Sequence, residues 1–194
     1  MVDRQTDRLQ LVPIGPQHAD DLWRLHQDEW VATWNAGTWT KQEAATFAEA
    51  CGRAWAADGV SKWIAYERST GNLVGRGGLS RMPANAPVTR QIDRLLRDPR
   101  WHTNPLEVGW AIITRYRRLG IATEVGRAAL AMARDELTAS RVISFTERHN
   151  IASRGVMEKL GMNFVGEIHA RGLVEGQTEE ADDAPFAVYA TAEL

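Results

Sequence analysis

The chain has 194 residues, 44% of them hydrophobic and 25% charged, with a formal net charge of −2 and a pI of about 6.2. This length and composition are typical of one soluble globular domain with a sizeable core. The near-neutral charge argues against a nucleic-acid binder, which usually carries a basic face. We expect no membrane span, because no apolar run approaches about 18 residues, and no signal peptide, because the N-terminus lacks an apolar core. Cys51 is the only cysteine, which excludes an intrachain disulfide and makes the cytoplasm the expected compartment.

The N-terminal part of the chain predicts one strand and two helices. Apolar residues alternate over residues 8–13, as they do in a strand. A helical pattern follows over residues 16–29. A second helix is predicted from residue 40 to about residue 56, because Thr40 and Glu43 have the spacing of a capping box.

A hairpin and a group of tryptophans come next. Residues 62–68 and 73–80 predict two strands joined by a turn at 69–72. Six of the eight tryptophans lie between Trp23 and Trp63. Two interpretations of them stay open: they pack helix faces, or one or two line an acceptor pocket, because aromatic walls orient flat or cationic groups.

Residues 82–105 interrupt the alternation of strands and helices. This segment holds four of the seven prolines and four arginines. Ile92, Leu95 and Leu96 fall at helical spacing, so the sequence predicts one short helix inside it. A loop of this length without regular structure is usually functional or disordered. The alternatives are a lid or dimer contact and a decorated hairpin loop.

The C-terminal half alternates strands and helices again. In chain order the predicted elements are a strand at 107–113, a helix at 121–137, a strand at 141–147, a helix from Asn150 to Gly161, and strands at 162–168 and 185–190. An acidic stretch, residues 175–183, separates the last two strands. With the N-terminal elements, this order predicts a mixed sheet with flanking helices in one domain.

The run from Tyr116 to Glu124 carries the clearest signal of function. It predicts a basic, glycine-containing turn between an apolar strand and an amphipathic helix. The first N–H groups of such a helix are unpaired, and with the helix dipole they form a site for phosphate. Gly120 lets the backbone approach a ligand without a side chain in the way. We call residues 117–123 the phosphate turn.

A second stretch, from Asn150 to Gly161, completes a recognisable pair of motifs. Together with Arg117, Gly120 and Ala122 it resembles the acetyl-CoA site of the GNAT N-acetyltransferases, closest to the RimJ/RimL type that acetylates protein N-termini. The order of predicted elements resembles that family over nearly the whole chain. The resemblance implies an α/β fold with a mostly antiparallel central sheet of about seven strands, in one domain over residues 1–194 with an insertion at about 82–105.

The resemblance also implies acetyl-CoA (coenzyme A) as co-substrate and a set of residues that hold it. The phosphate turn would bind the diphosphate with backbone N–H groups and two guanidinium groups, the strand before it would pair with the amides of the pantetheine arm, and the start of the later helix would add side-chain contacts. The expected coenzyme A contacts are Ala111, Ile112, Ile113, Arg117, Arg118, Leu119, Gly120, Ile121, Ala122, Thr123, Asn150 and Ser153.

Two side chains are expected to carry the catalysis implied by the resemblance. Many GNAT enzymes use a tyrosine to protonate the leaving thiolate, but the matching position holds Met157. Ser153 stands where RimL-like enzymes carry a serine proposed for this task. Glu107 matches an acidic position that activates the acceptor amine directly or through water. Glu167 and His149 are weaker candidates for the base.

The sequence therefore predicts an N-acetyltransferase in which a primary amine attacks acetyl-CoA directly within a ternary complex. The amine could belong to a protein N-terminus or to a small molecule such as an antibiotic, polyamine or amino acid. The alternative from another class is a non-catalytic acyl-CoA-binding regulator, which Met157 favours and Ser153 opposes. No metal site is expected, because the five histidines have no ligand spacing. A monomer and a homodimer both remain open.

Overall fold

The computed structural model describes residues 3–194. Its contacts divide the chain into two compact units. The first unit contains the residues up to Ser80 together with Trp110–Ala128, and the second contains Arg81–Gly109 together with Ala129–Leu194. The single-domain organisation stays a prediction.

One sheet of eight strands runs through the described residues. The strands are β1 (Arg4–Gln5), β2 (Leu9–Pro13), β3 (Lys62–Glu67), β4 (Leu73–Arg81), β5 (Leu106–Ile112), β6 (Val142–Glu147), β7 (Asn163–Leu173) and β8 (Glu180–Ala190). Their order is β1-β2-β3-β4-β5-β6-β8-β7. The β5–β6 pairing is parallel, whereas β1–β2, β2–β3, β3–β4, β6–β8 and β7–β8 are antiparallel. The expected mixed, mostly antiparallel sheet is confirmed, with the short β1 as one strand more than predicted.

Seven α-helices accompany the sheet within residues 3–194. They are α1 (Ala19–Leu25), α2 (Glu29–Thr33), α3 (Lys41–Asp58), α4 (Pro87–Leu96), α5 (Pro99–Thr103), α6 (Ile121–Asp135) and α7 (Ile151–Lys159). None of them, in the described part of the chain, is long and apolar enough to cross a membrane.

The prediction of a single helix over residues 16–29 was wrong. A 3-10 turn at Pro16–His18 leads into α1, and α2 begins separately at Glu29. The new start is fixed by Asp28, whose side chain accepts hydrogen bonds from the backbone N–H groups of Trp30 and Val31 at 3.1 and 3.2 Å. An aspartate in this position ends one helical run and begins the next.

The capping box predicted for α3 is confirmed. The Thr40 N–H donates to the Glu43 carboxylate at 2.7 Å, and the Glu43 N–H donates to the Thr40 hydroxyl at 3.2 Å. The helix ends at Gly59, which has a left-handed φ of 66°. Ala44, Ala48 and other small residues of α3 are buried in the core of the first unit.

The predicted insertion, residues 82–105, folds into two helices rather than one. Ile92 of α4 and Trp101 of α5 are fully buried in the hydrophobic core of the second unit. The Met82 N–H donates to the Pro105 carbonyl at 2.8 Å and closes the segment at its base. The insertion is therefore a structural part of the second unit, because its removal would uncover that core.

The hairpin of β7 and β8 is longer than the sequence predicted. Both strands extend to eleven residues, and β8 begins at Glu180 inside the acidic stretch. The Gly172–Ala181 pair lies beyond the predicted ends of both strands. Glu180, Asp182 and Asp183 are all exposed on β8, so their charge is compatible with a strand.

Candidate functional site

The phosphate turn adopts an unusual backbone in the first unit. Arg118 and Gly120 have φ angles of 61° and 80°, both in the left-handed region. The first bond of α6 runs from the Glu124 N–H to the Gly120 carbonyl at 3.0 Å. The N–H groups of residues 121–123 therefore stand in the first helical turn, where no intrahelical carbonyl is available to them.

The N-terminal end of α6 is held by Arg8. Its guanidinium donates to the Leu119 carbonyl at 2.7 Å and to the Glu124 carboxylate at 2.7 Å. The Arg8 backbone N–H also donates to Glu124 at 2.9 Å, and the Thr6 hydroxyl donates to the same carboxylate. Burial acts to raise the pKa of Glu124, but the hydrogen bonds from Thr6 and Arg8 outweigh it and lower this pKa. Glu124 therefore stays ionised beside the phosphate turn, where the Arg8 guanidinium balances its charge.

A second brace links the segment before Arg117 to α2. The Asp28 carboxylate that caps α2 also accepts the Thr114 N–H at 3.0 Å and the Thr114 hydroxyl at 2.8 Å. The Arg117 guanidinium lies over the Trp30 ring, 3.3 Å from its centroid. Asp28 and Trp30 were not among the predicted site residues, because their contacts to Thr114 and Arg117 join positions 86 and 87 residues apart and no local pattern marks them.

Contacts with β4 determine which backbone groups at the end of β5 are available to a ligand. The Ile113 N–H donates to the Val74 carbonyl at 3.0 Å. A Cβ on Gly75 would lie 2.3 Å from the Ala111 carbonyl oxygen, so only glycine fits there. Backbone groups of successive residues in a strand point to opposite edges, and the Ile112 groups therefore face the edge away from β4. The β5–β6 ladder joins only the Leu106–Val142 and Glu107–Ile143 pairs and does not include Ile112.

The tryptophans of the first unit lie in different surroundings: some pack in the core, and one belongs to a polar cluster. Trp63 and Trp55 are buried, which agrees with the packing interpretation. Trp39 instead stacks on His26 with centroids 3.4 Å apart, and the buried Arg76 lies 5.6 Å from the Trp39 ring.

His26 is held in its neutral form within this cluster. It is fully buried, and burial together with the Arg76 charge lowers its pKa to about 3. Its Nε2 accepts a hydrogen bond from Arg76 Nε at 3.2 Å. The Asn35 side-chain oxygen accepts another from the same guanidinium at 2.9 Å. Arg76 is therefore oriented by two neutral acceptors.

The start of α7, in the second unit, is capped locally. The Asn150 side-chain oxygen accepts the Ser153 N–H at 3.1 Å, as expected for an N-cap residue. Asn150 is 3% exposed. Because its oxygen is used by the cap, its amide N–H groups are what it can offer to a ligand. The Ser153 hydroxyl has no hydrogen-bond partner within residues 3–194.

Met157 lies one turn further along α7 and is 1% exposed. It packs in the interior and carries no acid chemistry. A hydroxyl does approach α7 from β8: Tyr189 donates to Glu158 at 3.2 Å and accepts from Arg154 at 3.2 Å. Both contacts join residues of the second unit, so Tyr189 has a structural role there.

The three candidates for the base occupy different environments. Glu107 is half-buried on β5 and pairs with Ile143 in the sheet. Glu167 on β7 forms an ion pair with Arg148 at 3.3 Å, which gives it a structural role. His149 is half-buried and directly precedes the cap residue Asn150.

Two further observations concern places where a ligand could bind. A cavity of about 620 Å³ opens in the first unit beside β2 and α3, lined by Val12, Ile14, Gly52 and Arg53 among others. None of the predicted coenzyme A contacts lines it. Residues 3–194 contain no group of three or more metal-ligating side chains close enough to hold an ion.

An eight-stranded mixed sheet with a glycine-containing, basic turn leading into α6 defines an acyltransferase fold. The family model described as "Acetyltransferase (GNAT) domain" matches residues 8–163. The chain therefore belongs to the GNAT acetyltransferase family and is an acyltransferase.

Individual relatives agree with this assignment. The "FsC-acetyl coenzyme A-N(2)-transacetylase" of Aspergillus fumigatus is 29% identical over 166 residues, which cover 82% of this chain and 64%, less than two thirds, of that protein. A Bordetella pertussis structure assigned to the GnaT acetyltransferase family has a TM-score of 0.75 at 20% identity, covering 99% of this chain and 100% of that one. RimL, a ribosomal L7/L12 alpha-N-protein acetyltransferase in complex with coenzyme A, has a TM-score of 0.70 at 14% identity, covering 97% and 96%. At these identities the two structures establish the fold alone.

Proposed function

We propose that this protein is an N-acetyltransferase that moves an acetyl group from acetyl-CoA to a primary amine by direct attack within a ternary complex. The observation that carries the proposal is the phosphate turn. Arg118 and Gly120 have left-handed φ angles, and the first N–H groups of α6 have no intrahelical acceptor. GNAT family membership and the coenzyme A bound to the similar RimL structure support the same cofactor.

The diphosphate would bind at the phosphate turn. Backbone N–H groups of Ile121, Ala122 and Thr123 would donate to its oxygens, and the helix dipole would favour its charge. Arg117 and Arg118 would add charge-assisted hydrogen bonds. Neither arginine forms an ion pair with another residue of the described chain, so neither contact requires an existing pair to break.

The pantetheine arm would pair with the end of β5 through residues 111–113. The Ile113 N–H is already bonded to β4, so the backbone groups of Ile112 are the best suited to the arm's amides. The Asn150 side chain, whose oxygen caps α7, would donate its amide hydrogen to an acceptor on the arm.

Ser153 would protonate the departing thiolate, and Glu107 would receive the proton of the amine directly or through water. The hydroxyl of Ser153 is free of other hydrogen bonds in the described chain, which supports this assignment. A covalent acetyl-enzyme is disfavoured, because the one thiol, Cys51, is buried and burial raises its pKa.

The acceptor would be a protein N-terminus or a small-molecule amine. The RimL structure is that of a ribosomal-protein acetyltransferase, which supports a protein N-terminus, and the name of the Aspergillus relative, an N(2)-transacetylase, supports transfer to nitrogen. A panel of peptides with free N-termini, polyamines and amino acids would be assayed with acetyl-CoA, with released thiol as the readout. Thiol release that requires one class of amine supports the proposal. Tight acetyl-CoA binding with no thiol release on any amine would instead support a non-catalytic acyl-CoA-binding regulator.

A further inference from the structure

The contact between Trp30 and Arg117 is the closest cation–aromatic approach in the described chain, at 3.3 Å from the guanidinium carbon to the ring centroid. Trp30 lies on α2, outside the phosphate turn and outside the predicted site. We propose that Trp30 is a positioning residue for the diphosphate of coenzyme A, acting through Arg117. This inference rests on the proposed function of the phosphate turn.

The geometry of stacking leaves Arg117 able to bind an anion. The N–H groups of a guanidinium lie in its plane, whereas the indole covers one of its faces. All in-plane donors therefore stay available for phosphate oxygens. Arg117 forms no ion pair within residues 3–194, so the aromatic ring is the contact that orients its side chain.

Trp30 is itself held in place from two directions. The Asp28 carboxylate accepts the Trp30 N–H at 3.1 Å and also accepts the N–H and hydroxyl of Thr114, just before the phosphate turn. The Trp34 ring meets the Trp30 ring edge-on, with centroids 5.6 Å apart. A half-buried indole with both backbone and ring fixed makes a rigid platform for the arginine.

Preorganisation gives this platform an energetic role. A free arginine loses side-chain entropy when it binds a phosphate, and a stacked one has lost part of it beforehand. The cost of immobilising one long side chain on binding predicts an effect of about three- to tenfold on affinity. The effect must be confined to ligands that carry the diphosphate.

The test compares coenzyme A with pantetheine, which has no phosphate, by calorimetric binding to purified variants. Trp30→Leu removes the aromatic face, Trp30→Phe keeps a smaller one, and Arg117→Gln removes the charge. We expect Trp30→Leu to weaken coenzyme A binding about three- to tenfold, with pantetheine affinity unchanged and Trp30→Phe intermediate. In the Arg117→Gln background Trp30→Leu should have no further effect, because its action needs the guanidinium.

Trp23→Leu is the matched control. Trp23 carries a comparable contact, with Lys41 Nζ 5.0 Å from its ring centroid, and packs against the core cluster that contains Leu22. It should leave the ratio of coenzyme A to pantetheine affinity unchanged. A second readout is tryptophan fluorescence: the emission change on coenzyme A binding should shrink in Trp30→Phe and persist in Trp23→Leu.

Two outcomes separate this inference from the proposed function. If Arg117→Gln lowers coenzyme A affinity selectively but Trp30→Leu does not, the positioning role is overturned and the phosphate turn stands. If neither variant alters the ratio of coenzyme A to pantetheine affinity, the phosphate turn does not bind the diphosphate, and the proposed function loses its main support.

Discussion

The phosphate turn and the start of α7 are both helix N-termini assigned to coenzyme A, yet different contacts hold them. At α7 the Asn150 side chain caps the N–H of Ser153, three residues away. At the phosphate turn the braces come from Arg8 and Asp28, which lie 116 and 86 residues from the groups they bind. The first arrangement is a property of a local sequence, and the second exists only once the first unit has folded.

This difference has a consequence for mutation. A local cap tolerates changes in the rest of the unit, because its partners are neighbours in the chain. A turn held by distant groups depends on each of them, so substitutions far from the ligand should alter cofactor affinity. Substitutions at the two helix starts and at the distant residues that brace the phosphate turn should therefore have different effects.

Gly120→Asp should abolish coenzyme A binding, with a loss of about 100-fold or more, because it puts a negative charge where phosphate oxygens must lie. The φ of 80° at Gly120 strains any side chain there, so Tm should fall, but the protein should stay folded because the nearest atom to a Cβ is Arg8 Nη2 at 3.5 Å. Calorimetric binding and a thermal melt would measure the two properties. Gly71→Asp is the control, because Gly71 has a similar φ of 73° in an open turn. Normal coenzyme A affinity in Gly120→Asp would show that the diphosphate binds elsewhere.

Ser153→Ala should lower kcat by about 10²- to 10⁴-fold, the usual contribution of a general acid. The KM for acetyl-CoA should change little, because the α7 cap uses the backbone N–H of residue 153 and not its hydroxyl. Steady-state kinetics with the best amine would measure both constants. Ser153→Thr, which keeps a hydroxyl, should recover part of kcat. A change confined to KM would reassign Ser153 to binding.

His26→Gln should flatten the acid side of the stability profile. The folded-state pKa of His26 is lowered to about 3 from an ordinary value of 6.5, so the unfolded chain takes up a proton first as the pH falls. The stability contributed by neutral His26 is present above pH 6.5 and lost between pH 6.5 and about 3, at up to about 1.4 kcal/mol per pH unit. Urea unfolding across this range would measure the slope.

The glutamine can still accept a hydrogen bond from Arg76, so the slope is more informative than the absolute stability of that variant. His169→Gln is the control, because His169 is exposed on β7. An unchanged slope in His26→Gln would mean that other groups account for the acid sensitivity.

Arg8→Gln should weaken coenzyme A binding by about two- to fivefold, the scale of a partly exposed ion pair. The substitution removes the guanidinium that pairs with the Glu124 carboxylate beside the anion site, while the hydrogen bonds from Thr6 and the residue 8 backbone remain. Adding Glu124→Gln should restore part of the affinity, because it removes that charge. A double-mutant cycle on coenzyme A affinity measures this coupling. Additive losses in the two single variants would show that Arg8 acts only by bracing the turn.

The parts of the fold that sequence could predict are those encoded locally. Residues Thr40 and Glu43 specified the start of α3, Asn150 the start of α7, and apolar alternation the central strands. The helix over residues 16–29 was mispredicted because the helical pattern continues across Asp28, and Asp28 was not identified as the N-cap of a new helix. Only one of the two helices in the insertion was predicted, because prolines suggest a loop. Pro87 and Pro99 instead each lie at the first position of a helix.

The candidate site divides in the same way. The phosphate turn could be identified from Arg117, Gly120 and Ala122, since glycine spacing and helix start are local features. Arg8 and Trp30 could not, because their roles come from contacts across the folded first unit. A single sequence contains no signal for such pairs.

The most direct test of the central claim is thermal melting of the purified protein with and without ligand. Acetyl-CoA at about 100 times its Kd should add about 2.7 kcal/mol to the free energy of unfolding, which for a chain of this size raises Tm by roughly 5–10 °C. ATP and NAD, which carry phosphates but no pantetheine arm, should leave Tm unchanged. No shift with any acyl-CoA, or an equal shift with ATP, would contradict the assignment of the phosphate turn to coenzyme A.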